Sequence, residues 1–156
     1  MAELTLINSL SVRRSDRVLI VCDEETIEIG QAFFQGASRI SMNPHLIEMK
    51  KGKRHGDEPS RMVARAMAES DVIMAPTTYS LTYTNATRMA LSKGARIATM
   101  PGLTMEMLMS GGLDADYGRI AKSIRKFAKY VSRERSLRIV SEEGCDVKMS
   151  IRGRDW

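Results

Sequence analysis

The chain has 156 residues, of which 43% are apolar and 28% charged, and its formal net charge is +5. A chain of this length can bury roughly two-thirds of its unfolded surface in one core, and no run approaches the ~18 apolar residues that cross a bilayer. A single globular α/β domain spanning 1–156, cytoplasmic and without a membrane span, is therefore expected.

Short apolar runs recur along the chain. Met1 to Leu10 has neither the basic start nor the long apolar stretch of a secretion signal. Arg17 to Cys22 is the first strand-like run, followed by a helix on which Ile29, Ala32, Phe33, Gly36, Ala37 and Ile40 share one face. Asp23, Glu24 and Glu25 place negative charge at its start. His45 to Met49 is the second run. The next helix is expected to open with Pro59 in its first turn and to turn Met62, Val63, Ala66 and Met67 inward. Asp71 to Ala75 is the third run; a helix over Thr84 to Lys93 follows, with Gly94 as its C-terminal cap. Ala95 to Thr99 is the fourth.

A short helix is predicted near Thr104 to Met109, ended by Gly111-Gly112, and the longest over Asp116 to Val131. In that helix Tyr117, Ile120, Ala121, Ile124, Phe127, Ala128 and Val131 lie on one side, with Arg119, Lys122, Lys126 and Lys129 on the other. Leu137 to Ser141 and the alternating residues after Cys145 predict a β-hairpin turning at Glu142-Glu143-Gly144. Repeated strand-helix-strand units bring strands in parallel through right-handed crossovers. The fold class expected is a Rossmann-like three-layer domain with a mostly parallel sheet and a C-terminal hairpin.

The charge balance raises nucleic acid as a partner, because clustered Lys and Arg release phosphate counterions on binding. The clusters are Lys50 to Arg54 and Arg119 to Arg138. There is no zinc-finger spacing and no aromatic RNA-recognition signature, and only eight aromatic residues occur (one Trp, four Tyr, three Phe). Nucleic acid is not the expected partner. The first strand leads into Val21-Cys22-Asp23-Glu24-Glu25-Thr26, without a glycine-rich phosphate loop, so dinucleotide binding is not expected either. No G-x-S-x-G elbow is present. Cys22 and Cys145 match no metal or redox spacing and are expected to be reduced and structural; Asp23 beside Cys22 would raise the thiol pKa. His55-Gly56-Asp57-Glu58 is expected to be a solvated turn.

In open parallel sheets, ligands bind beyond the carboxyl ends of the strands. The loops there are Asp23-Glu24-Glu25, Pro76 to Thr84 and Pro101 to Thr104, and the middle one is rich in hydroxyls. Asp23, Glu25, Ser80, Thr82, Thr84, Gly102 and Thr104 are the candidate contacts for a small anion or a peptide end. The alternative is that the hydroxyls of Ser80, Thr82 and Thr84 are caps and turn formers. Met100, Met105, Met107 and Met109 either fill the core or form a docking face.

Six stretches carry a resemblance: Val18 to Thr26, Arg54 to Pro59, Ala75-Pro76-Thr77, Ser80 to Thr84, Ala98 to Gly102, and Asp114 to Tyr117. Taken in order, they resemble the N-terminal domain of the aminopeptidase T family of metallopeptidases. Two positions depart from its pattern: Arg13-Arg14-Ser15-Asp16 replaces Pro-Gly, and Tyr83 stands where histidine is expected. The resemblance implies a homodimeric exopeptidase that removes N-terminal residues with two divalent cations, zinc or cobalt. In that family the metal ligands and the catalytic base belong to the C-terminal domain, which would begin about where Arg152 to Trp156 end this sequence. No metal ligand is carried over, so this chain is expected to hold no cofactor, to be inactive by itself and to need that half or a second copy. The alternative is a stand-alone scaffold that binds a small anion or a protein.

Overall fold

The computed structural model describes residues 2–110, 115 and 117–154. Residue contacts divide the chain into two compact units, Met1–Ala115 and Asp116–Trp156.

In the first unit the elements run α1 (Ala2–Leu10), β1 (Arg17–Asp23), α2 (Ile27–Ile40), β2 (Asn43–Met49), α3 (Arg61–Ala68), β3 (Val72–Ala75), α4 (Asn85–Ser92), β4 (Arg96–Thr99) and α5 (Met105–Ser110). The four strands form one all-parallel sheet in the order β2-β1-β3-β4. The chain steps from β1 to β2 on one side and then returns to β3 on the other, so the order reverses between β1 and β3. The expected α/β class with a parallel sheet is what the structure shows.

Strand alternation builds the two layers that cover the sheet. On one face Val18, Ile20, Val72 and Met74 pack with Ile29, Phe33 and Ala37 of α2, Leu10 at the end of α1 and Leu108 of α5. On the other, Leu19, Val21, Ile73 and Ala75 pack with Val63 and Met67 of α3 and Ala86 and Ala90 of α4. Each fully buried Val, Leu, Ile or Phe contributes roughly 1.5–3 kcal/mol against the entropy of ordering the chain. Gly30 is a close-approach point: a Cβ there would stand 2.6 Å from Cys22 Sγ. Only glycine lets α2 lie this near β1.

Three local expectations are corrected. The stretch 2–10, considered only as a signal, is a helix. Pro59 lies before α3: Ser60 is the N-cap, its side chain accepting from the Val63 N–H, and the helix starts at Arg61. Met62, expected inward, is 80% exposed; the buried stripe of α3 falls on Val63, Met67 and Ala68. Gly94 does follow α4 in the left-handed region, at φ 89°.

The second unit contains α6 (Tyr117–Val131), β5 (Ser136–Val140) and β6 (Asp146–Ser150). The strands pair antiparallel, joining Leu137 to Met149 and Ile139 to Val147, as the hairpin expectation requires. Arg138 and Asp146 form a two-point ion pair on the opposite side of the ribbon, with 2.8 Å bonds. The apolar side of α6 is not buried as a stripe: Val131 is buried, whereas Ile124 and Phe127 are 60% and 63% exposed. Cys145, expected to be structural, is exposed and free. Residues 111–112 and 116, at the predicted helix ends, lie outside the described residues.

Candidate functional site at the carboxyl edge of the sheet

Because all four strands are parallel, their carboxyl ends meet at one edge, and the loops after β1, β2, β3 and β4 converge there. Asp23 closes the gap between β1 and β3. Its carboxylate is 1% exposed; Oδ2 accepts from the Thr78 N–H at 2.7 Å, and Oδ1 from the Thr78 hydroxyl at 2.9 Å. The Thr26 hydroxyl and the Glu25 N–H also donate to it, at 3.1 and 3.2 Å. A buried carboxylate is tolerable only with such a set of donors. Asp23 is thus a clasp across the strand-order reversal, with its acceptor capacity in use.

The segment 50–60 is tied to this edge on three sides. Lys51 donates its N–H to Glu24 at 2.7 Å and its ammonium to Glu25; the Glu25 bond, chiefly, raises the lysine pKa. His55 Nδ1 accepts from the Ser80 N–H at 3.0 Å. A ring nitrogen that accepts carries no proton, so in the neutral ring the proton is on Nε2. The imidazole also stands edge-on to Tyr79, 5.3 Å between centroids. Gly56 donates to the Ser80 carbonyl at 2.9 Å. Glu58 accepts from the Asn85 and Ala86 N–H groups at 2.5 and 3.3 Å, where the positive end of α4 favours a carboxylate. Asp57 takes N–H bonds from Lys53 and Arg54 and the Arg54 Nε, with the Lys53 bond the main cause of its lowered pKa. The turn at His55-Gly56 is exposed, as expected, and these bonds also anchor it. Its ties are long-range in sequence, which is why local reading missed them.

The hydroxyl-rich loop divides into two groups. Ser80, Thr82 and Thr99 form a chain of hydroxyls, 2.7 Å between neighbours. Thr84 is buried and faces its own helix, accepting from the Thr87 N–H at 3.1 Å as the N-cap of α4. Thr104 likewise accepts from the Met107 N–H at 3.1 Å ahead of α5. Gly102 donates its N–H to the Thr77 carbonyl at 3.3 Å. Of the seven candidates, Asp23 and Glu25 are joined through Thr78 and Ser80 and Thr82 through their hydroxyls; Thr84 and Thr104 are turned to helix capping. Tyr83, beside the hydroxyl chain, is 86% exposed.

Beneath segment 50–60 lies a cavity of about 280 Å³. Ile47, Met49, Val63 and Leu81 line it with apolar side chains; its charged lining is four acids, Asp23, Glu48, Asp57 and Glu58, against two bases, Lys50 and Arg54. Cys22 is near this edge but points toward α2; burial, then Glu48 and Asp23, pushes its thiol up to about 11, so it is a thiol at neutral pH. Among the described residues no group of three or more His, Cys, Asp or Glu could hold a metal ion, and no helix is long and apolar enough to cross a membrane.

Sequence reasoning placed Tyr79 at this edge with the Pro76 to Thr84 loop but missed Lys50, Arg54 and His55. For Lys50 and Arg54 the one signal was the basic run just after a strand, which is also the mark of a solvated basic face. The fold is an open parallel α/β domain whose strand order reverses between β1 and β3. Comparisons with family models, with curated proteins and with solved structures found no match for this chain.

Proposed function

We propose that the chain is the N-terminal part of a metal-dependent aminopeptidase and supplies one wall of a peptide-binding cleft, the metals being brought by a C-terminal region or by a partner chain. The observation that carries this reading is convergence. Five of the six stretches that resemble the aminopeptidase T family meet at one hydrogen-bonded edge: Asp23 with Thr78, the neighbour of Thr77, Gly102 with Thr77, His55 and Gly56 with Ser80, and Thr82 with Thr99. Segments distant in sequence gather around the place where such sheets bind ligands. In a metallopeptidase two cations activate water and polarise the scissile carbonyl; this wall would position the peptide. The same reading makes the protein a homodimer in the cytoplasm.

Two measurements on the endogenous gene product test it. Its intact mass should exceed 17.4 kDa, or the product should copurify with a second chain. With zinc or cobalt it should release leucine from a leucyl peptide, and the 156-residue chain by itself should not. A product of 17.4 kDa that neither binds divalent metal nor hydrolyses peptides overturns the proposal.

A further inference from the structure

We infer that α6 docks on an anionic phospholipid surface, with Ile120, Ile124 and Phe127 at the boundary between headgroups and hydrocarbon. This is independent of the peptidase reading.

The charge of the chain is unevenly placed. Residues 116–156 hold eleven of the 24 bases and six of the 19 acids, so the whole formal charge of +5 belongs to the second unit. Most of it lies on α6 and the turn that ends it: from Tyr117 to Arg133 the sequence has six bases and no acid. Among the described residues, Lys122, Arg125, Lys126, Lys129 and Arg133 enter no ion pair. Lys122 and Lys126, like Arg125 and Lys129, are four positions apart, a spacing at which like charges repel along a helix. An anionic surface supplies the opposite charge that the helix itself lacks.

The second observation does not depend on charge. At 3.6 residues per turn, Tyr117, Ala121, Ala128 and Val131 share the buried to half-buried side of α6, and Ile120, Ile124 and Phe127 form the stripe beside it. These three are 43%, 60% and 63% exposed, and Tyr130, at the border with the bases, is 64% exposed. Beyond that border Lys126, Lys129 and Arg133 line, with Tyr130, a notch of about 180 Å³ that has room for a phosphate group. Around the helix the order is apolar, tyrosine, basic. A bilayer presents the same order from acyl chains to phosphates, with tyrosine favoured between them.

Charge alone would suit a nucleic acid, and apolar area alone a second copy. Contacts to nucleic-acid phosphates would leave Ile120, Ile124 and Phe127 in water. A stable protein interface takes about 20 or more residues from each side, far more than this stripe. A lipid surface uses both features at once. At 15 residues α6 lies on the surface and does not cross it.

The test is cosedimentation of the 156-residue chain with vesicles of phosphatidylcholine alone and of phosphatidylcholine mixed equally with phosphatidylglycerol. Retention of duplex DNA and single-stranded RNA, and mass by light scattering, are measured beside it. Binding to the anionic vesicles should saturate, exceed binding to the neutral ones about tenfold or more, and weaken about tenfold or more at high salt. Phe127→Ser and Ile124→Ser should each weaken it about tenfold, and Lys126→Gln about fivefold. All three side chains are exposed, so the thermal midpoint should stay in place. No saturable binding to anionic vesicles, equal binding to both kinds, or full binding by both serine variants would each overturn the inference. Nucleic acid held more tightly than the vesicles, and equally by Phe127→Ser, would overturn it in favour of a nucleic-acid face. A dimer that Phe127→Ser dissociates, with no vesicles bound, would overturn it in favour of a second copy.

Discussion

The two ends of the parallel sheet use charge in opposite ways. At the amino end, side chains pair with side chains. Arg17 grips Asp71 through Nε at 3.0 Å and Nη2 at 2.8 Å, Glu69 joins Lys93 at 2.9 Å, and Arg96 reaches Asp16 at 2.6 Å. Arg96 also donates to the carbonyls of Leu10 and Ser11, at 2.8 and 2.7 Å, fixing the exit of α1. At the carboxyl end Asp23, Glu24, Asp57 and Glu58 accept chiefly from backbone N–H groups of the loops. The difference teaches that acids of one sheet can serve two structural ends: paired with bases they join elements side chain to side chain, and paired with backbone N–H groups they fix the course of loops. One end closes the sheet, and the other holds loops in place around a cavity.

This contrast can be broken at its strongest point first. Asp23→Ala should be the most damaging change, about 3 kcal/mol in urea unfolding, because it strands the Thr78 and Glu25 donors at a buried position. A loss no larger than that of an exposed ion pair would mean that Asp23 is no clasp. Arg96→Met should come next, about 2 kcal/mol, since Asp16 and two carbonyls lose their donor. Stability that is unchanged would show the amino end to be less closed than described.

Glu58→Ala sharpens the comparison at the carboxyl end. The expected loss is about 1 kcal/mol, with faster hydrogen exchange at the amides of Asn85 and Ala86. Exchange that is unaltered there would place the α4 N-terminus in the care of Thr84 alone. The smallest effect belongs to the exposed amino-end pair. Bonds from Arg17 hold the Asp71 carboxyl at about 2 instead of 3.8, so the unfolded chain takes up its proton first. The stabilisation is whole above pH 3.8 and is lost as pH falls from there toward 2. The urea midpoint should drop over that window, Asp71→Asn should flatten the drop, and salt should shrink the difference.

How much was legible depended on the range of the interactions. The alternation of Val18 to Val21 and the helical spacing from Ile29 to Ile40 are local periodicities, and they place β1 and α2 without reference to anything distant. Gly94 and the hydroxyl of Thr84 are equally local, since capping acts within one helical turn, whereas Thr104, read as a ligand contact, is a cap of the same kind. The start of α3 was misplaced because Pro59 and Ser60 are both good starting residues, and Met62, next to the true stripe of Val63 and Met67, was placed on the wrong side of its edge. His55 and Glu58 could not be read at all: their partners, Ser80 and Asn85, lie 25 and 27 positions away.

By itself, then, the sequence determined the parallel α/β class and the hairpin, because periodicity, caps and crossover handedness act over a few residues or follow from chirality. Only the tertiary structure decided which donors the carboxylates at the carboxyl edge of the sheet meet. Whether a carboxylate meets a backbone N–H depends on loops brought together by the whole sheet, and no spacing along the chain encodes that meeting.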